Sequence, residues 1–387
     1  MKQAFTCGDK IAGFFRHLFA VLFRLFYAKS VNLTSRVRCE SVDNEPFIID
    51  NNGLLNVSSS AMQQPVWQEE LRQSVTDTDE LCRILSLSAR TITADTVPSE
   101  YPLRVPRPFI KLMKPGNARD PLLLQVLPQN AENVRTGGFS QDPLQENANS
   151  GTGCILHKYP GRSLILVSNR CGVHCRFCFR RYTLRQNQFF PAAGFDTGTQ
   201  LEPIRQDTSI EEIIFSGGDP LILEDEILHD LLQAAVKIKH VQRIRIHSRL
   251  PVVLPNRLTP ELAEILTLPK PLYLVLHVNH PDELSADLLD RREYLVKPVL
   301  LSQTVLLKGI NDDTETLARL FTQLSNHRIL PYYLHQLDRV AGAAHFEVSP
   351  ADGCRILREL RHKLPGYAVP VYVRECCGLP SKEIVNF

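Results

Sequence analysis

Residues 163–178 read SLILVSNRCGVHCRFC, an apolar run followed at once by three closely spaced cysteines. A short apolar run of this kind is consistent with a fully buried β-strand. The cysteines begin where that strand would end. In proteins built from alternating strands and helices, functional groups gather at this end of the strands. The stretch therefore predicts a strand of a buried sheet with a chemical site at its edge.

Five further apolar runs follow downstream. They are EEIIFSG (211–217), RIRIHS (243–248), LYLVLHV (272–278), VLLSQTVLL (299–307) and ILPYYLHQL (329–337). Amphipathic stretches that suit helices separate them, among them DEILHDLLQAAVKIK, TPELAEILTL and TETLARLFTQLSNH. Alternating strands and helices predict parallel strands joined by right-handed crossovers. Residues 151–387 are therefore predicted to form an α/β core, an open or partial (β/α)6 barrel.

The chain upstream of this core has a different character. Residues 62–150 predict a helical region, in which short helices alternate with turns that contain proline and glycine. Residues 136–153 are rich in Gly, Ser, Asn and Gln, which is typical of a loop. This part of the chain is therefore interpreted as an N-terminal region that precedes the barrel.

Residues 1–61 begin with a basic, acid-poor segment. Two arginines interrupt its apolar stretch, Ile11–Tyr27, and the longest unbroken apolar run is far shorter than the roughly 20 residues of a membrane span. Three interpretations stay open. The segment is an extension ahead of a start at Met62, a helix on a membrane surface, or a targeting peptide. None of them predicts stable insertion into a membrane.

Composition excludes several classes of protein. Of 387 residues, 43% are hydrophobic and 22% are charged, which is ordinary for a globular protein and argues against a disordered, collagen-like or membrane-bundle chain. The net charge is +2, so no overall basic field predicts a nucleic-acid partner. Three of the ten cysteines lie within eight residues. In a reducing cytoplasm, the location we expect, that cluster indicates a metal or cofactor site.

The cysteines Cys171, Cys175 and Cys178 have CxxxCxxC spacing. Three thiolates can hold three irons of a [4Fe-4S] cluster and leave the fourth iron open for another ligand, as a catalytic centre requires. Two other readings stay open at this point. One is a zinc site completed by a distant Cys or His, and the other is three unrelated buried cysteines.

The cysteine motif followed by Arg180-Arg181 resembles the signature of radical S-adenosylmethionine (SAM) enzymes. From about Leu103 onward the chain resembles the lysine 2,3-aminomutase family within that group, and in particular the branch whose β-lysine modifies elongation factor P. The resemblance is carried by HKYPGR (157–162), SGGD (216–219), RIHSRLPVVLP (245–255), NHP (279–281), VLLKGIN (305–311), PYYLHQLD (331–338), GAAHF (342–346) and GLPSK (378–382).

The resemblance implies three cofactors and the residues that bind them. The cysteines would hold the [4Fe-4S] cluster, and Lys382 would form an imine with pyridoxal 5′-phosphate (PLP). The SAM-binding positions are Gly217, Gly218, Asp219 and Gln303. The remaining PLP positions are Lys158, Tyr159 and Arg162. The basic groups of Lys158 and Arg162 suit a phosphate. Because the zinc-binding tail of the classical enzymes is not matched, we expect no zinc.

The resemblance also implies a lysine substrate. Arg180 would bind the substrate carboxylate, and Asp338 and Glu375 would bind its distal ammonium group. The expected activity is conversion of L-α-lysine to (R)-β-lysine, with flavodoxin or ferredoxin as reductant and with a functional link to the elongation factor P ligase. An aminomutase for glutamate or arginine is the alternative, as is a non-catalytic iron–sulfur protein. The two acids favour lysine over glutamate.

Overall fold

A computed structural model describes residues 38–40, 46–49, 55–56, 65–87, 101–146, 154–185 and 197–386. The described part of the chain falls into two units, which divide between Gln64 and Pro65. The first contains a small antiparallel sheet of β1 (Arg38–Glu40), β2 (Pro46–Ile49) and β3 (Leu55–Asn56). The predicted amphipathic segment at 11–27 lies outside the described residues.

The second unit is built on a nine-stranded sheet with the order β12-β11-β10-β9-β8-β7-β6-β5-β4. Its strands are β4 (Ile155–Tyr159), β5 (Arg162–Ser168), β6 (Glu212–Gly217), β7 (Arg243–Ser248), β8 (Leu272–His277), β9 (Val299–Val305), β10 (Leu330–His335), β11 (Val371–Arg374) and β12 (Glu383–Ile384). Strands β5 to β11 are parallel, and the two edge strands are antiparallel to their neighbours.

The six predicted strands correspond to β5 through β10, so the α/β barrel architecture is confirmed. Their aliphatic side chains are buried, as in sheets that helices cover. The parallel strand β11 was not predicted. Residues from every strand between β4 and β12 line one common cavity, which shows that the sheet curls. Because the strand order runs linearly from edge to edge, the barrel is open.

The helices of the second unit are α1 (Val66–Arg72), α2 (Thr78–Ile84), α3 (Arg107–Ile110), α4 (Pro121–Leu124), α5 (Thr197–Gln200), α6 (Glu202–Gln206), α7 (Asp225–Val236), α8 (Leu250–Val253), α9 (Pro260–Ile265), α10 (Ala286–Arg291), α11 (Thr314–Asn326) and α12 (Pro350–Lys363). Short 3-10 turns begin at residues 130, 220, 255, 281, 292, 344 and 366. The amphipathic stretches predicted as helices form α7, α9 and α11. In the part of the chain that the structure describes, no helix is both long enough and apolar enough to cross a membrane.

Helix boundaries follow ordinary capping chemistry. The Asp313 carboxylate accepts a hydrogen bond from the Thr316 amide at the start of α11, and the Ser349 hydroxyl accepts one from the Asp352 amide at the start of α12. The short helices α1 to α4 pack against the barrel, and Trp67 and Leu71 of α1 belong to its main hydrophobic core. The Arg257 guanidinium lies 4.5 Å from the centre of the Trp67 ring. The helical region and the sheet therefore share one core.

Candidate functional site

A cavity of about 530 Å³ lies inside the curled sheet, at the carboxyl ends of its parallel strands. The structure brings every site residue predicted from the sequence to its wall. They are Lys158, Tyr159, Arg162, Cys171, Cys175, Cys178, Arg180, Gly217, Gly218, Asp219, Gln303, Asp338, Glu375 and Lys382. Sequence positions more than 200 residues apart therefore meet in one place.

The cysteine loop follows β5 directly and is held by the N-terminal helical region. The His174 amide donates to the Arg104 carbonyl at 3.0 Å, and the Arg176 amide donates to the Gln125 carbonyl at 2.9 Å. The Arg176 side chain is wholly buried and its Nε donates to Glu132 Oε1 at 2.7 Å. A buried, hydrogen-bonded ion pair of this kind is costly to break. These contacts hold the backbone of the loop against the helical region, while its three cysteines line the cavity.

The chemistry of the three thiols fits an electron-deficient metal centre. All three are free cysteines. Burial raises the pKa of Cys178 to about 11 and raises the pKa of Cys171 and Cys175 as well. As thiolates they would need a strong positive partner, which an iron cluster supplies. The Arg249 guanidinium already donates from Nη1 to Cys175 Sγ at 3.2 Å.

Within the described residues, no group of three or more His, Cys, Asp or Glu side chains is arranged to hold a metal ion. A [4Fe-4S] cube binds each cysteine through a different iron, whereas a mononuclear site gathers its ligands around one ion. Cluster ligands therefore stand further apart than the ligands of a single ion.

The turn after β6 presents bare backbone to the cavity. Gly217 has φ +122°, a conformation that side chains rarely adopt. A Cβ on Gly218 would lie 2.2 Å from the carbonyl oxygen of Arg170. Both positions therefore require glycine, and the resulting surface can receive a ligand that approaches the main chain closely. This geometry fits the predicted SAM site.

Asp219 lies on the cavity wall, and its carboxylate is held by hydrogen bonds within the protein. Its carboxylate accepts hydrogen bonds from the Ser248 hydroxyl at 2.7 Å and from the backbone amides of Leu221, Arg249 and Leu250 at 2.8–3.0 Å. With its oxygens engaged by the protein, Asp219 shapes the turn. The two glycines before it leave bare main chain on the cavity wall.

His247 on β7 and Gln303 on β9 form a hydrogen-bonded pair on the cavity wall, across the intervening strand β8. His247 Nδ1 lies 3.0 Å from Gln303 Oε1, so Nδ1 carries the proton and Nε2 is an acceptor. Burial lowers the pKa of His247 well below its usual value, which keeps the ring neutral. Its Nε2 is buried without a hydrogen-bond partner among the described residues. An unpaired buried acceptor on the cavity wall suits a ligand hydroxyl or N–H group. Sequence reasoning missed His247.

Lys382 also lies on the cavity wall, and its side chain is only 24% exposed. Its ammonium group forms an ion pair with Glu375. Burial lowers the pKa of Lys382 to about 8, with further lowering by Lys158, Arg245 and Arg180, against the opposing effect of Asp338. A lysine with such a pKa releases its proton near neutrality, which imine formation with an aldehyde requires. This environment fits PLP.

The predicted PLP and substrate residues surround this lysine. The Tyr159 hydroxyl donates to Glu375 Oε1 at 2.6 Å, and the Arg162 guanidinium lies 4.8 Å from the centre of the Tyr159 ring. Burial raises the pKa of Asp338 to about 6, against the opposing effects of Lys382 and Lys158. A carboxyl group with a raised pKa gains most from an added cation. Asp338 is therefore suited to bind an ammonium group.

Sequence reasoning missed Glu146, although its carboxylate connects two of the predicted residues. Glu146 is 1% exposed. It accepts hydrogen bonds from Arg180 Nε and Nη2 at 2.7 and 2.8 Å, and Lys158 Nζ lies 2.8 Å from its Oε1. Burial alone would raise its pKa, yet Arg180 and Lys158 hold the pKa at about 2. The only sequence signal was an acid in a stretch otherwise rich in Asn, Gln and Ser.

Comparisons with known proteins agree with this chemistry. Residues 158–248 match the family described as a 4Fe-4S single cluster domain. The chain is 43% identical to the L-lysine 2,3-aminomutase of Escherichia coli (strain K12), over 82% of this chain and 93% of that protein. The corresponding enzyme of Haemophilus influenzae is 40% identical, over 83% and 98% of the two chains. That of Clostridium subterminale is 32% identical, over 82% and 77%.

Among solved structures, a radical SAM methyltransferase from Sphaerobacter thermophilus is similar with a TM-score of 0.40 and 18% identity. The similarity covers 58% of this chain and 71% of the methyltransferase.

Proposed function

This chain belongs to the lysine 2,3-aminomutase family, and from that premise we propose that it is a radical SAM, PLP-dependent enzyme that converts L-α-lysine to (R)-β-lysine. The single observation that carries the proposal is the placement of Lys382. An isolated lysine is ordinarily solvated, yet this one is half-buried beside Glu375, with a pKa of about 8, in the cavity that also holds the cysteine loop.

When bound, the cluster and SAM supply a radical that abstracts hydrogen, and the pyridoxal ring supplies a conjugated carrier for the migrating nitrogen. The protein's own contribution is positional. Cys171, Cys175 and Cys178 would hold the cluster at the end of β5, and Lys382 would hold PLP in the same cavity.

The charges of the cavity support lysine as the substrate. Arg180 would bind the α-carboxylate as a guanidinium fork, and Asp338 and Glu375 would bind the ε-ammonium group. Glu375 now contacts the ammonium of Lys382, so the site already binds a group of the required chemistry. Glutamate would place its side-chain carboxylate against these two acids, which is repulsive. Lysine is therefore favoured over glutamate.

Product formation in the reconstituted enzyme tests the proposal. The full chain is loaded anaerobically with iron, sulfide and PLP, then given SAM, dithionite and L-lysine, L-glutamate or L-arginine in separate reactions. We expect β-lysine by mass spectrometry from L-lysine only, with loss of product in Cys175→Ala and Lys382→Ala. Lys308→Ala and Cys377→Ala are matched controls, since both residues are exposed and absent from the cavity wall. Deoxyadenosine without β-lysine would overturn the substrate assignment.

We further propose a cytoplasmic role in which flavodoxin or ferredoxin reduces the cluster and β-lysine passes to the ligase that modifies elongation factor P. The support is the sequence resemblance around the Gly378–Lys382 segment. The test is the mass of elongation factor P from cells that express the ligase with the wild-type chain or with Lys382→Ala. An identical mass in both strains would contradict this role.

A further inference from the structure

The Glu146 carboxylate contacts both Lys158 and Arg180, the cations proposed for PLP and for the substrate carboxylate. We propose that Glu146 is a positioning residue, which holds Arg180 in the orientation that binds the substrate carboxylate. This inference rests on the proposed function. Glu146 itself is absent from the cavity wall, whereas Arg180 and Lys158 are part of it. It therefore acts through these two cations and not by contact with substrate.

The hydrogen-bond donors of Arg180 show what Glu146 leaves available. A guanidinium has five N–H groups in a rigid plane. Glu146 engages one on Nε and one on Nη2, and Ser216 Oγ accepts one from Nη1 at 3.1 Å. Within the described part of the chain, two N–H groups stay available, one on Nη1 and one on Nη2. Both can donate to the oxygens of an added carboxylate. Glu146 and Ser216 thus select which edge of Arg180 a ligand meets.

Glu146 also sets the spacing of two like charges. Lys158 Nζ lies 2.8 Å from the same carboxylate, and the side chains of Lys158 and Arg180 are only 13% and 8% exposed. Without Glu146, two poorly hydrated cations would repel each other. The carboxylate therefore holds the cation proposed for PLP and the cation proposed for the substrate carboxylate at a fixed separation.

The segment that carries Glu146 is anchored beside the other end of the substrate site. The Glu146 amide donates to Asp142 Oδ1 at 2.9 Å. The Ser140 amide donates to the Arg339 carbonyl at 3.0 Å, and the Ala341 amide donates to the Ser140 carbonyl at 2.8 Å. Residues 339–341 directly follow Asp338, the proposed ammonium ligand. One short segment thus relates the carboxylate end of the site to the ammonium end.

The test compares a ligand that has a carboxylate with one that lacks it. Dissociation constants for L-lysine and for L-lysinamide are measured on the PLP-loaded protein without SAM, from the pyridoxal absorbance and by calorimetry. We expect the wild type to prefer L-lysine. In Glu146→Gln we expect the constant for L-lysine to rise about tenfold or more, because a charge-assisted hydrogen-bond partner of Arg180 is lost, while that for L-lysinamide changes little. The ratio of the two dissociation constants should then approach one.

Two further variants keep the result interpretable. Asp225→Asn is the matched control, since Asp225 pairs with the buried Arg257 at 2.7 Å and neither residue lines the cavity. It should leave the preference unchanged. If Glu146→Gln does not fold, Ser216→Ala replaces it in the test. The dissociation constant for L-lysine should then rise by about threefold, while that for L-lysinamide stays unchanged. A wild-type preference that persists in both site variants, or that falls equally in Asp225→Asn, would overturn the positioning role. The product assay decides the proposed function separately.

Discussion

The turn after β6 gives the sharpest quantitative prediction, the effect of Gly218→Ala. The added Cβ would lie 2.2 Å from the Arg170 carbonyl oxygen, 2.7 Å from its carbon and 2.9 Å from the Arg170 nitrogen. All three are backbone atoms, so no side-chain rotation relieves the overlap. Ordinary contact begins at 3.4 Å, and the two segments must therefore separate by about 1.2 Å.

This displacement has a cost that can be worked out. The Asp219 amide donates to the Arg170 carbonyl at 2.8 Å, and that hydrogen bond would not survive the separation. Overpacking costs about 1–3 kcal/mol, and a lost hydrogen bond costs about 1 kcal/mol more. We therefore expect the free energy of unfolding to fall by about 2–4 kcal/mol. Because the same backbone forms the proposed SAM site, we expect SAM affinity to fall about tenfold or more.

The assay is urea denaturation followed by circular dichroism, together with calorimetric titration of SAM into the cluster-loaded protein under anaerobic conditions. Gly366→Ala is the matched control, because a Cβ there meets nothing within 4 Å and the residue is exposed. Its stability should stay within about 1 kcal/mol of the wild type. If Gly218→Ala is equally benign and binds SAM normally, the steric reasoning is refuted.

Three other predictions concern the groups around the cavity. The rate of PLP attachment at Lys382 should rise with pH and level off above about 8, because burial lowers the pKa of this amine to that value and only the neutral amine attacks the aldehyde. Stopped-flow absorbance measures this rate, and a rate that is constant from pH 6 to 9 would contradict the prediction. The affinity for L-lysine, measured by calorimetry, should fall as the pH drops through about 6, where Asp338 becomes protonated. Asp338→Asn should raise the dissociation constant for L-lysine about tenfold and lessen that pH dependence. Arg249→Gln should lower the reduction potential of the cluster in a titration followed by electron paramagnetic resonance, because it removes a cationic donor to Cys175; an unchanged potential would argue against that contact.

The strands were predictable where each is a continuous apolar run that the fold buries. Residues 163–168 and 243–248 are examples, and they form β5 and β7. Strand β11 was missed because its sequence, Val-Tyr-Val-Arg, is only four residues long and its two ends are exposed. So short a run carries little periodic signal. Its parallel pairing with β10 provides the stability that its own sequence does not predict.

The residues of the site likewise divide into those that the sequence predicted and those that it did not. Cysteine spacing alone indicated the metal chemistry of Cys171, Cys175 and Cys178, because three thiols so close in sequence must lie close in space. Lys382 could be found only through resemblance, since nothing local distinguishes it from a solvated lysine. Glu146 and His247 were missed. Their partners, Arg180 and Gln303, are 34 and 56 residues away, and no local pattern connects such pairs.

By itself, the sequence determined the alternation of strands and helices, the open barrel and the cysteine loop at a strand end, because each of these depends on neighbouring residues and their periodicity. Only the tertiary structure decided which charges meet. It placed Glu146 between Arg180 and Lys158, directed the Asp219 carboxylate to the protein's own amides, and paired Lys382 with Glu375. Pairings and pKa values of this kind depend on desolvation and on distances between residues far apart in the chain, and those quantities exist only once the sheet has curled around the cavity.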